Sequence, residues 1–182
     1  MSQKDYKLEV IDKLLLSATH LRGLAKKLNT NQMMISRKIK ELEIDNVVDF
    51  RQEGKNKVYF LKKTFEAQEH AYFLEHYKSL RIVKKYPLLK NIFIKIKLNP
   101  KVNLAVLFGS YAKELAHKES DIDIYIETTS AQLKQEIGQL STAISVKIGI
   151  FDRNNLLIKE IQKNHVVIKG VENYYDKSQF FL

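Results

Sequence analysis

The sequence predicts an α+β chain built in parts, and three observations carry that reading. Residues 1–63 read as short amphipathic helices followed by a hairpin. Residues 64–99 read as connecting helices. From residue 100 to 182, strand-like apolar runs alternate with helix-length polar segments, which implies layered α and β elements.

The elements follow in order. Residues 5–16 put Leu8, Ile11, Leu14 and Leu15 at helical spacing. Residues 20–28 give a second short helix, with Leu21, Leu24, Ala25 and Leu28 inward. Asn29-Thr30-Asn31 supplies a turn and an N-cap for a third helix running to about Glu43. Ile35, Ile39 and Leu42 are its apolar stripe. Residues 47–51 and 57–61 are short strands, joined by a polar turn with Gly54 at its tip. Residues 64–85 read as one long helix with Phe65, Tyr72, Phe73, Leu80 and Val83 on its apolar side, stopped by Pro87. Residues 88–98 read as a further helix, although IFIKIKL also alternates like a strand. Beyond Asn99-Pro100 the expected order is strand 103–108, helix 110–117, strand 121–127, helix 130–140, strand 144–151, helix 154–164 and strand 165–169. The closing aromatics Phe180 and Phe181 are expected to pack, with no partner readable.

Composition narrows the function classes. The chain is 45% apolar and 29% charged, as in a protein with real cores. The absence of cysteine excludes disulfides, thiolate metal sites and a cysteine nucleophile. No run approaches the ~20 apolar residues of a membrane span. The opening MSQKDYKLEV lacks the apolar core of a signal peptide. The expectation is a cytoplasmic protein with no membrane partner. The net charge of +10 is unevenly placed. Residues 1–63 carry 14 Lys/Arg and 8 Asp/Glu, residues 64–104 carry 8 and 3, and residues 105–182 carry 9 and 10. A polyanion would be drawn to the first hundred residues.

The helix–turn–capped helix–hairpin spacing over about forty residues resembles the winged helix-turn-helix family. With Ile35, Ile39 and Leu42 turned in, Gln32, Met33, Ser36, Arg37 and Lys40 point outward. These types suit a major groove: Gln32 for a base edge, Met33 for a thymine methyl, Arg37 and Lys40 for guanine or phosphate. The hairpin offers Arg51, Lys55 and Lys57 to the backbone or minor groove. The resemblance implies double-stranded DNA as a partner and a homodimer on a two-fold site.

The second motif is Gly109-Ser110 after an apolar run, followed eleven residues later by Asp121-Ile122-Asp123. Gly109 permits a sharp turn and close backbone approach to a phosphate, and Ser110 adds a hydroxyl. On a strand, Asp121, Asp123, Tyr125 and Glu127 share one face, with the two Asp about 7 Å apart. Such a pair can hold Mg²⁺ that also binds phosphate oxygens.

The pattern resembles the DNA polymerase β-like nucleotidyltransferase superfamily, most nearly its minimal members. The resemblance implies Mg²⁺ and an NTP, with Asp121 and Asp123 as catalytic and metal-holding residues. It also implies Gly109, Ser110, Lys113, Ser120 and Lys147 as nucleotide contacts. The reaction it implies is attack of a hydroxyl acceptor on the α-phosphate of the NTP. Minimal members often pair with a helical toxin, which implies a toxin-like partner.

Two departures matter. Glu114 stands where active members usually have a second glycine. The family's third carboxylate is expected on ISVKIGIFD, whose open face is Ser145, Lys147 and Gly149. Lys147 is the expected occupant of that position or its neighbour. Asp152 has the wrong parity, and Glu127 lies about 13 Å beyond Asp123. The expectation is therefore nucleotide binding with weak or absent catalysis, or a regulator or antitoxin-like protein with a degenerate domain.

Overall fold

The computed structural model describes residues 4–181. The chain forms two compact units, one ending at Leu74 and one running from Glu75 to Phe180.

The first unit opens with α1 (Tyr6–Leu16), whose N-cap Asp5 accepts from the amides of Lys7 and Leu8. A two-residue strand β1 (Thr19–His20) leads into α2 (Leu21–Lys27). Asn31 then caps α3 (Gln32–Ile44), its side chain accepting from the Met34 amide at 2.8 Å. Such a cap is typically worth ~1 kcal/mol. Strands β2 (Val48–Glu53) and β3 (Asn56–Leu61) form an antiparallel hairpin about Gly54. β1 pairs with the other side of β3, giving the order β1-β3-β2. Leu8, Ile11, Leu24, Ile35, Ile39 and Leu42 are fully or almost fully buried. The arrangement is that of a winged helix-turn-helix; β1 is the one strand the sequence reading lacks.

Helix α4 (Phe65–Lys85) is continuous over 21 residues. Its buried face is only in part the one expected. Phe65, Phe73 and Leu80 are 72%, 60% and 74% exposed, whereas Ala67, Ala71, Leu74, Glu75, Lys78, Ser79 and Ile82 are buried. Val83 packs against the core and Tyr72 is half-buried as expected, but small and ionic residues make up most of the inner stripe.

The second unit contains α5 (Leu89–Leu98), β4 (Ala105–Leu107), α6 (Gly109–Ala112) and β5 (Ile122–Glu127). Then come α7 (Ala131–Gly138), β6 (Ile144–Gly149), α8 (Leu156–Lys163), β7 (Val166–Lys169) and α9 (Val171–Ser178). Residues 89–98 are helical, with Leu89, Ile92, Phe93 and Ile96 inward. The expected helix 110–117 is only one turn, and strand 144–151 ends at Gly149 with Ile150 74% exposed. α9 takes up residues that carried no expected element.

The sheet order is β6-β5-β4-β7, with β5 and β6 parallel and the other pairs antiparallel. One face packs Ile122, Ile124, Ile126, Leu107 and Val166 into a core with α5 and α7. On the β7 edge, the Val167 amide donates to the Glu75 carboxylate at 3.2 Å. Glu75 is fully buried. It also accepts from Lys78 Nζ at 2.8 Å and the Tyr175 hydroxyl at 3.3 Å, and His165 Nε2 lies 3.3 Å away. An ionic cluster thus closes an edge that would otherwise expose unpaired backbone.

Candidate functional site

β4 delivers the chain to Phe108, and Gly109 then turns it with φ +69°. The turn brings the Gly109 Cα against Asp123. A Cβ placed on Gly109 would meet Asp123 Oδ2 at 2.2 Å. The Phe108 amide donates to the Asp123 carbonyl at 3.0 Å, which fixes this register. The turn and the acid expected to work with it are therefore adjacent.

Asp121 lies just before β5 and is exposed; Asp123 is on β5 and partly buried. Burial, then the Asp121 carboxylate, push the Asp123 carboxyl above its ordinary range; the Lys147 ammonium and the Ser145 hydroxyl pull it back. The two acids thus feel each other, as a shared site requires.

The parallel register places Ser145 opposite Asp123 and Lys147 opposite Tyr125. Lys147, expected at the third position or its neighbour, thus lies one pair beyond the residue directly opposite Asp123, which is Ser145. Parity was right, but the offset between strands is set by the Ile122 amide bonding to the Ala143 carbonyl. The face is not open beyond Asp123. Tyr125 is 1% exposed and its hydroxyl donates to the Gly149 carbonyl at 2.9 Å. Glu127 is taken by Lys177 Nζ at 2.9 Å. Among the described residues, no group of three or more His, Cys, Asp or Glu is placed to hold a metal ion. The donors present are two carboxylates and one hydroxyl, with one lysine in Coulomb range. That set fits a single divalent ion shared with phosphate and lacks the ligands for a second.

Two other expected contacts are engaged elsewhere. Lys113 Nζ pairs with Glu160 at 2.9 Å. The Ser120 hydroxyl accepts from the His117 amide at 3.0 Å, closing the turn before β5. Glu114 adopts φ +58°, a conformation natural to the glycine it replaces. Arg81 Nε at 2.9 Å and Lys85 Nζ at 3.2 Å hold its carboxylate, and Lys85 also bonds its carbonyl. Left-handed strain of ~1 kcal/mol is offset by ion pairs worth ~1 kcal/mol at such exposure. Glu114→Gly is therefore expected to stay within about 0.5 kcal/mol of the parent in denaturant unfolding, while Glu114→Ala loses ~1–2 kcal/mol.

In the first unit, Gln32, Met33, Arg37 and Lys40 are exposed along α3, and Ser36 is partly buried. Lys55 stands exposed beside Gly54. Arg51 pairs with Glu53 at 2.7 Å, and Lys57 Nζ lies 3.7 Å over the Phe50 ring.

Residues 89–173 match the family model described as polymerase beta, nucleotidyltransferase. This part of the chain, a little under half of its length, is similar to that family. The Gly109 turn and the Asp121/Asp123 pair both lie inside the matched span. No curated protein matches the chain. Among solved structures, the adhesin competence repressor AdcR from Streptococcus pyogenes is similar at 18% identity. The match covers 50% of this chain and 68% of that one, with a TM-score of 0.41. Among the described residues, no helix is long and apolar enough to cross a membrane.

Proposed function

We propose that this is a cytoplasmic DNA-binding protein whose nucleotidyltransferase domain binds a nucleoside triphosphate, with transfer of NMP to a hydroxyl acceptor weak or absent. The adjacency of the Gly109 turn to Asp123 carries the nucleotide reading. The Gly109-Ser110 backbone and hydroxyl take phosphate oxygens. Lys147 adds a cation beside Asp123. Lys113 is available once released from Glu160, and Ser120 fixes the approach to Asp121. Asp121 and Asp123 would hold Mg²⁺, which neutralises phosphate charge when bound.

Ser145 opposite Asp123 supports the low-transfer reading, because a hydroxyl there neither ligates strongly nor accepts the acceptor's proton. It equally favours the second reading, a transcriptional regulator that senses nucleotide. The exposed Gln32, Met33, Arg37 and Lys40 of α3, with Ser36 beside them, support DNA binding. Arg51, Lys55 and Lys57 serve the flanking backbone. The outward Phe65, Phe73 and Leu80 support α4 as a homodimer helix.

The test is turnover of α-labelled ATP with Mg²⁺, the parent beside Ser145→Asp. The expected result is slow or undetectable transfer in the parent and at least tenfold more in Ser145→Asp. Fast parental transfer that needs both Asp121 and Asp123 would contradict the weak-enzyme reading. Fast transfer that survives their loss would remove the site.

A further inference from the structure

The second unit carries a charged surface that neither the nucleotide site nor α3 uses. Between Glu75 and Glu114 the chain holds no acidic residue. Of the cations in that run, Lys78, Arg81, Lys85, Lys101 and Lys113 are paired with carboxylates from outside it. Lys84, Lys90, Lys95 and Lys97 are exposed and have no ion-pair partner among the described residues. Three of them lie on α5, whose other side is buried through Leu89, Ile92, Phe93 and Ile96. Lys90 and Lys97 are two turns apart, about 10 Å along the axis. Lys95 lies about 140° round the axis from Lys90, so the lysines flank both sides of the solvent-facing arc, and such uncompensated positive charge attracts a polyanion.

We propose that the solvent face of α5, with Lys84, is a sequence-neutral docking surface for the phosphate backbone of duplex DNA. The unpaired cations are all lysines, which act as point charges on phosphate; the arginine fork that reads guanine edges is missing from the set. The exposed apolar residues of this face, Ile94 and Leu98, are aliphatic. They give unpaired bases no ring to stack on, which disfavours a single strand. The choice of DNA over RNA rests on the DNA reading of α3.

The test is fluorescence anisotropy of the full chain with random-sequence duplex DNA across a salt series. Two variants are compared with the parent: Lys84, Lys90, Lys95 and Lys97 all changed to Gln, and Arg37→Gln with Lys40→Gln. Loss of four phosphate contacts is expected to lower the slope of log K against log salt by about 3.6, with ATP affinity and melting temperature unchanged. An unchanged slope in the four-lysine variant, with a loss in the α3 variant, overturns this surface and leaves the DNA reading standing. No binding by the parent overturns both. Equal or tighter binding to the single strand, to duplex RNA or to anionic vesicles overturns the choice of duplex DNA.

Discussion

Gly109→Ala is expected to weaken nucleotide binding by roughly 100-fold while costing only about 1–3 kcal/mol of stability. Two effects coincide at this position. The backbone holds φ +69°, where an L side chain is strained. The new Cβ would also lie 2.2 Å from Asp123 Oδ2, 3.0 Å from its Cγ and 3.2 Å from its Cβ. The Asp123 side chain is short and cannot slide away along its own length. It must rotate, and the carboxylate then leaves the turn it faces. ATP affinity in the presence of Mg²⁺ should fall by roughly 100-fold, the order expected when a charge-assisted site is dismantled. Gly54→Ala is the control. Gly54 has φ +59° but nothing within 4 Å of the added Cβ. It should lose ~1 kcal/mol through strain alone and keep full ATP affinity. Parental ATP affinity in Gly109→Ala would show that Asp123 does not work with this turn.

Glu75→Leu is expected to be the most destabilising single change, at ~3–5 kcal/mol. The carboxylate is fully buried and holds Lys78, Tyr175, the Val167 amide and His165 around it. A leucine fills similar volume but leaves a buried ammonium and an amide without an acceptor. The melting temperature should drop on the order of 10 °C. The pH dependence follows from the same groups. Burial pushes the Glu75 carboxyl up, but Lys78 and His165 outweigh it and hold it well below its ordinary value of 4.5. A carboxyl depressed in the folded state binds fewer protons there than when unfolded. Its contribution is therefore complete above the unfolded value of 4.5 and is lost as pH falls from there toward the folded value. The parent should lose stability steeply below pH 4.5, and Glu75→Leu should lose less over the same window. Unfolding free energies within 1 kcal/mol of each other at neutral pH would mean that the cluster adds nothing.

These two residues also show what the sequence made legible. Gly109-Ser110 ends one apolar run and the Asp pair, eleven residues on, opens the next, so local pattern brings them together. The α1–α3 packing was readable for the same reason, since Ile35, Ile39 and Leu42 repeat at helical spacing. Glu75 was not readable. Lys78 is only three residues on, but His165, Val167 and Tyr175 lie about ninety to a hundred positions away, and its own helix looks better with Phe73 and Leu80 inward. Burying ionic groups defeats a reading based on hydrophobicity. That Ser145, rather than Lys147, stands opposite Asp123 is not readable for a different reason. Parity tells which face a residue is on, but the offset between parallel strands is a tertiary fact. Glu114 was noticed as a departure, yet only its φ and its pairing with Arg81 and Lys85 explain how a carboxylate replaces glycine there.

The central claim is that the turn at Gly109-Ser110 and the carboxylates of residues 121 and 123 form one nucleotide pocket. Calorimetric titration of the full chain with ATP and Mg²⁺ tests it most directly, comparing the parent with the Asp121→Ala/Asp123→Ala double variant. The expected result is saturable one-to-one binding in the parent and at least a tenfold loss in the variant. Equal affinity in both, or no heat of binding in the parent, would contradict it.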